Sequence, residues 1–174
     1  MKEMIRYGFI LGLICVLAAG LLAGANALTR SKIAEQAQAE EQSALKEVMP
    51  QAKKFIPVGL APDVLYYKAV DGQEKLLGFV FKASGKGYSS VIQTLAGMNL
   101  EGVISAVKVV SQNETPGLGM RITENKFTDQ FRNQDSLSLL DVQAITGATI
   151  SSKAVMNSVI QKAQEIRELI KNEK

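Results

Sequence analysis

Histidine is absent from the chain, and Cys15 is its only cysteine. Imidazole acid–base catalysis, cysteine-ligated zinc, iron–sulfur clusters and disulfides therefore lack their nucleophiles or ligands. Any redox or metal chemistry has to be carried by a borrowed group. Charge of one sign is also scarce, with 20 basic residues against 17 acidic ones spread along the chain, so no basic patch argues for nucleic acid. A chain of 174 residues leaves room for one ordinary domain and a short appendage, which excludes a multidomain enzyme. Extended disorder is excluded as well, because 47% hydrophobic residues with 21% charged is a folding composition.

What the chain does have is one long apolar run. Residues 7–29 read YGFILGLICVLAAGLLAGANALT, without a formal charge between Arg6 and Arg30. At about 1.5 Å per helical residue the run matches the roughly 30 Å hydrocarbon core of a bilayer. The small residues Ala25, Asn26 and Ala27 would suit a signal-peptide cleavage site, but the run is too long for an ordinary signal core and reads as a retained anchor. Lys2 and Arg6 on one flank nearly balance Arg30 and Lys32 on the other. The free amino terminus tips the reading towards a cytoplasmic N-terminus with the bulk of the protein outside. Cys15 lies mid-span, where apolar surroundings keep a thiol unreactive.

After the anchor, residues 31–49 are rich in Ala, Glu, Gln and Lys, with Ile33, Ala37, Ala44, Leu45 and Val48 at helical spacing. This predicts a helix continuing out of the membrane. Pro50, Pro57, Gly59 and Pro62 then mark a connector. Residues 64–70 and 76–83 read as two antiparallel strands joined by the loop 71–75, and residues 91–95 and 103–110 as two more. Residues 123–132 predict a short helix with Phe127 and Phe131 on one face, and 135–145 a short strand or loop. In 152–171 the residues Val155, Val159, Ala163, Ile166 and Ile170 step by three or four, the mark of an amphipathic helix. Strands followed by helices, without strict alternation, point to an α+β domain: a mostly antiparallel sheet with packed helices behind one transmembrane helix. The organisation is an anchor over 1–30, a juxtamembrane helix and connector over 31–50, and a folded domain over 51–174.

Three loop clusters combine glycines that admit close backbone approach with groups that can hold a ligand. They are SGKGYSS at 84–90, ETPGLG at 114–119 and DVQAITGATISS at 141–152. The third opens a helix, where free backbone N–H groups and the positive dipole end favour an anion and where Thr146, Thr149, Ser151 and Ser152 add donors. A phosphate would fit there. Each cluster also has a bland local reading. The first would be a hairpin loop with Tyr88 in the core, the second a Pro-Gly type II turn, and the third a glycine turn followed by a serine N-cap.

Taken in this order behind an anchor, GKGYSS, ETPGLG and DVQAITGATISSKAV resemble the FMN-binding domain family over nearly the whole chain. Within that family they are similar to the G subunits of the membrane-bound Rnf ion-translocating electron-transport complex. The C subunit of the sodium-pumping NADH:quinone reductase shares the motif in longer chains and is the second choice. The resemblance makes 51–174 the FMN-binding domain. It implies FMN esterified through its phosphate to Thr149 by a separate flavin transferase, with Thr146, Gly147, Ala148, Ser151 and Ser152 around the phosphate. It also implies that Glu114, Thr115, Gly117, Leu118 and Gly119 lie against the flavin ring. Apart from the resemblance, Gly87 and Tyr88 are read as candidates to pack near the ring and Lys126 as a source of positive charge. The implied activity is electron transfer within an ion-translocating ferredoxin:NAD oxidoreductase. No strand-linked G-x-G-x-x-G is present, so the chain would be incomplete alone and would need the other Rnf subunits. The apolar run 7–29 holds no carboxylate, which places the ion path in those partners and leaves the coupling ion unspecified. A membrane-anchored scaffold domain without cofactor and a stand-alone extracytoplasmic flavin reductase are the competing readings.

Overall fold

The computed structural model describes residues 2–60, 63–139 and 141–172. Of the residues read above as connector or loop, Ala61, Pro62 and Leu140 lie outside the described residues. Helix α1 spans Lys2–Val48 and contains, within Glu3–Val48, the one described helix long and apolar enough to cross a membrane. Five strands follow: β1 Lys54–Leu60, β2 Asp63–Val70, β3 Leu76–Lys86, β4 Val91–Asn99 and β5 Ile104–Ser111. After them come a 3₁₀ turn at Gly119–Thr123, α2 at Asn125–Thr128, a second 3₁₀ turn at Asp129–Phe131, and α3 at Thr149–Asn172. The chain divides into two units, Met1–Glu40 and Glu41–Lys174.

In the second unit the sheet is antiparallel throughout, in the order β1-β2-β3-β4-β5. The fold is therefore α+β, with a sheet that has a helix on each face. Alternation along the strands sorts the core into two layers. Phe79, Phe81, Ile92, Ala96 and Met98 pack with Val155, Val159, Ala163 and Ile166 of α3. Phe127 and Phe131 close the same layer edge to face, with ring centroids 5.3 Å apart. Val80, Leu95 and Ala106 face the other way, onto Ala44, Leu45 and Val48 at the end of α1. That end is also fastened by polar contacts. Glu41 accepts from the Tyr67 hydroxyl at 3.1 Å and pairs with Lys82 at 3.1 Å, Glu47 pairs with Lys108, and the Ser105 hydroxyl donates to the Val48 carbonyl at 2.7 Å.

Several elements differ from the sequence reading, and β4 runs on to Asn99 rather than ending at 95. The strand β1 occupies part of what reads as connector: it is an edge strand that carries Pro57 opposite Tyr67 and bulges between Val58 and Gly59, and proline is tolerated at an edge. β3 runs to Lys86 rather than ending at 83. Gly85 is not a loop glycine, since a Cβ there would collide with the Ala154 carbonyl of α3, so the residue lets helix and strand touch. The helix expected over 123–132 is two 3₁₀ turns around the single-turn α2, although it buries Phe127 and Phe131 as its apolar spacing requires.

Candidate functional site

All three glycine clusters meet at one end of the sheet, beside the first turn of α3. The turn between β3 and β4 is closed by the Gly87 N–H donating to the Ser90 carbonyl at 2.8 Å. In the second cluster the Leu118 N–H donates to the Thr115 carbonyl at 3.2 Å, with Pro116 and Gly117 between them and Gly117 at φ +74. That is the positive φ a type II turn needs at its third position. The third cluster repeats the device. The Ala148 N–H donates to the Ile145 carbonyl at 2.9 Å across Thr146 and Gly147, with Gly147 at φ +84.

Glu114 joins the clusters. The residue is buried, 3% exposed. Oε1 accepts the N–H groups of Ser89 at 3.0 Å and Ser90 at 2.9 Å and the Ser90 hydroxyl at 3.3 Å. Oε2 accepts the Tyr88 N–H at 3.2 Å and the Ser151 hydroxyl at 2.6 Å. Burial by itself would raise this pKa. The Ser151 hydroxyl and the N–H groups of Ser90, Ser89 and Tyr88 outweigh it and hold the carboxyl below the ordinary carboxylate range. Two glycines make room for the group: a Cβ on Gly87 would lie 2.6 Å from Oε1, and one on Gly119 would lie 2.6 Å from Oε2.

Ser152 fixes the turn ahead of α3. Its hydroxyl donates to the Ala148 carbonyl at 2.9 Å and accepts the Ile145 N–H at 3.1 Å. The helix begins at Thr149, three residues earlier than the serine-capped start read from sequence, and both Ser151 and Ser152 are buried with their protons already donated inside the protein. The donors left at the helix start are therefore backbone groups. The N–H groups of Thr149, Ile150 and Ser151 have no acceptor among the described residues, and α3 has no acidic residue in its first turn. The Thr149 hydroxyl is exposed and has no partner among the described residues.

Beside Thr149 opens a cavity of about 380 Å³, lined by Tyr88, Glu114, Thr115, Leu118, Gly119 and residues 147–151. Its walls are apolar side chains left in solvent: Tyr88 is 73% exposed, Leu118 50% and Ile150 57%. Tyr88 is thus a cavity wall and not the core residue of the bland hairpin reading. Five of the sequence candidates, Gly87, Gly117, Lys126, Thr146 and Ser152, do not line this cavity. Thr146 and Lys126 line a neighbouring cavity of about 250 Å³ together with Arg121 and Gln143. Gly117 borders open space. Sequence reasoning did not single out Ile150. Its signal was an apolar side chain in the first turn of α3, off the stripe that faces the sheet.

The FMN-binding domain family matches residues 87–164, and the RnfG N-terminal region matches residues 1–48. The G subunit of the ion-translocating oxidoreductase complex of Methanosarcina acetivorans is 36% identical, over 91% of this chain and 92% of its own length. The G subunit of the Na(+)-translocating ferredoxin:NAD(+) oxidoreductase complex of Acetobacterium woodii is 32% identical, over 98% of this chain and 95% of its own. Among solved structures, the C subunit of the Na(+)-translocating NADH-quinone reductase from Parabacteroides distasonis aligns with a TM-score of 0.53 at 17% identity, covering 71% of this chain and 79% of its own. That likeness shows the fold alone.

Proposed function

We propose a function from the premise that this chain belongs to the family of G subunits of ion-translocating oxidoreductase complexes and contains an FMN-binding domain. It is an electron-transfer component of a membrane-bound ferredoxin:NAD oxidoreductase, carrying FMN through its phosphate on Thr149. The observation that carries this reading is the exposed, unengaged Thr149 hydroxyl at the start of α3, on the rim of the 380 Å³ cavity.

The residues present fit the group. Leu118, Ile150 and Tyr88 offer the apolar walls of a half-open cleft of a size typical for small ligands. The open N–H groups of Thr149, Ile150 and Ser151 and the positive end of α3 suit a phosphodiester. Gly119 keeps the 114–119 loop tight against Glu114 and leaves Leu118 facing the cavity. When bound there, FMN would supply one- and two-electron chemistry, which no side chain of this protein can. A tether through the phosphate would keep the group from dissociating.

Residues 7–29 form a single retained span, with the N-terminus cytoplasmic and the flavin domain extracytoplasmic, a reading supported by the length of the apolar run and the weak bias of Lys2, Arg6 and the free amino terminus. Its partners are the other components of the complex and, during maturation, a flavin transferase. Purified from membranes and denatured, the protein should stay yellow. Flavin absorbance that washes away would refute the covalent tether, and absorbance that was never there would favour the cofactor-free scaffold.

A further inference from the structure

We infer that Glu114 is a positioning residue that sets the shape of the Thr149 site from beneath, by tying the β3–β4 turn to the first turn of α3. The inference rests on the reading of Thr149 as the attachment point. The two segments come from distant parts of the chain, since Ser89 precedes Glu114 by 25 positions and Ser151 follows it by 37. Both carry walls of one cavity, Tyr88 from the turn and residues 147–151 from the helix start. Between them stands the carboxylate, with Oε1 held by the turn and Oε2 shared by the Tyr88 N–H and the Ser151 hydroxyl.

Five donors on two oxygens fill the roughly four acceptor positions a carboxylate has, so Glu114 has no capacity left for the flavin ring. It forms no ion pair among the described residues, and its charge is balanced by N–H and O–H dipoles alone. A Cβ on Gly87 would collide with this same carboxylate and with Ile92, and one on Gly119 with the carboxylate and with the Ser151 hydroxyl that bonds it. Three segments, the β3–β4 turn, the 114–119 loop and the first turn of α3, are thus fitted around one buried anion. Ser151 is two residues from Thr149, so a slack Glu114–Ser151 bond loosens the helix start that presents the threonine.

A turn cap alone would steady residues 88–90 and leave α3 untouched, and the test separates the two roles. Full-length Glu114→Gln, Ser151→Ala and the double variant would be purified in detergent and compared with Val159→Ala, a core change on α3 away from the site. Three quantities would be measured: melting temperature, amide exchange, and the initial rate of FMN incorporation with transferase and flavin donor. Charged hydrogen bonds of this kind are strong enough that Glu114→Gln and Ser151→Ala should each slow incorporation roughly tenfold or more. The double variant should be no slower than the worse single one, because both cut the same connection. Exchange of the Ile145 and Ser152 amides, which report the turn before Thr149, should quicken in both single variants. Val159→Ala should melt lower yet incorporate FMN at the wild-type rate. Normal incorporation and unchanged Ile145 and Ser152 exchange in Glu114→Gln would reduce Glu114 to a turn cap and overturn the inference. A wild-type protein with no flavin on Thr149 would overturn the attachment reading instead, and the exchange data would still judge the connection.

Discussion

Replacing Gly147 separates backbone strain from steric crowding at the site. The residue holds φ at +84, which L side chains rarely adopt, yet a Cβ there would meet only Leu118 Cδ2, at an ordinary 3.6 Å. Crowding is therefore not the cost. The cost is the left-handed backbone, about 1–2 kcal/mol for an alanine and up to about 3 kcal/mol for a β-branched valine. The turn can relieve that strain by giving up the 2.9 Å bond from Ala148 to Ile145, and with it the two bonds through which Ser152 holds the turn. Since each 1.4 kcal/mol is about a tenfold change in population, Gly147→Ala should slow FMN incorporation several-fold and Gly147→Val by roughly tenfold or more. Melting temperature should fall only a few degrees, at about 2–4 °C per kcal/mol for a chain of this size. Timed incorporation with the transferase, followed by in-gel flavin fluorescence, measures the rate. Gly147→Val incorporating FMN as fast as the wild type would refute the claim that this turn must hold its conformation.

Three further outcomes are expected. Glu114 titrates below the ordinary carboxylate range in the folded protein, so its contribution is complete above the unfolded value near 4.3 and is lost as pH falls through the lower folded value. Melting curves taken down through that window should slope for the wild type, and a Glu114→Gln profile with the same slope would assign the effect elsewhere. Tyr67 is pushed up to about 12, by burial first and then by the charge of the Glu41 carboxylate, which also accepts its hydrogen bond, so its contribution is whole below about 10 and is lost as pH rises through 12. Tyr67→Phe should cost about 1 kcal/mol at neutral pH, and an unchanged melt would show that this contact does not fasten α1 to the sheet. Protease added to sealed spheroplasts should digest the flavin domain, whereas full protection would reverse the orientation.

Much of the fold was legible because burial imposes a period. The four strands read from β-branched runs are present, and α3 follows the spacing of Val155, Val159, Ala163 and Ile166. β1 was hidden by Pro57 and Gly59, which punctuate most sequences but are admissible at an edge beside a bulge. The start of α3 was misplaced for a related reason. Ser152 looks like a cap, but the serine capping the turn from inside the helix and a serine preceding the helix have the same local sequence. Glycine signals were real and ambiguous in purpose: Gly85 touches a helix, Gly87 and Gly119 touch a carboxylate, and Gly147 supplies a positive φ. Only long-range contacts distinguish these uses. The same holds for Glu114, whose five donors come from segments that the sequence does not show to be neighbours.

The central claim is tested most directly by mass. The full chain, purified from native membranes, would be weighed intact and then digested and mapped, beside a Thr149→Ala variant prepared in the same way. The wild type should be heavier by one FMN less one water, with the whole increment on the peptide that contains Thr149, and the variant should carry none. An unmodified wild-type chain, or flavin found on Thr146, Ser151 or Ser152, would contradict the assignment.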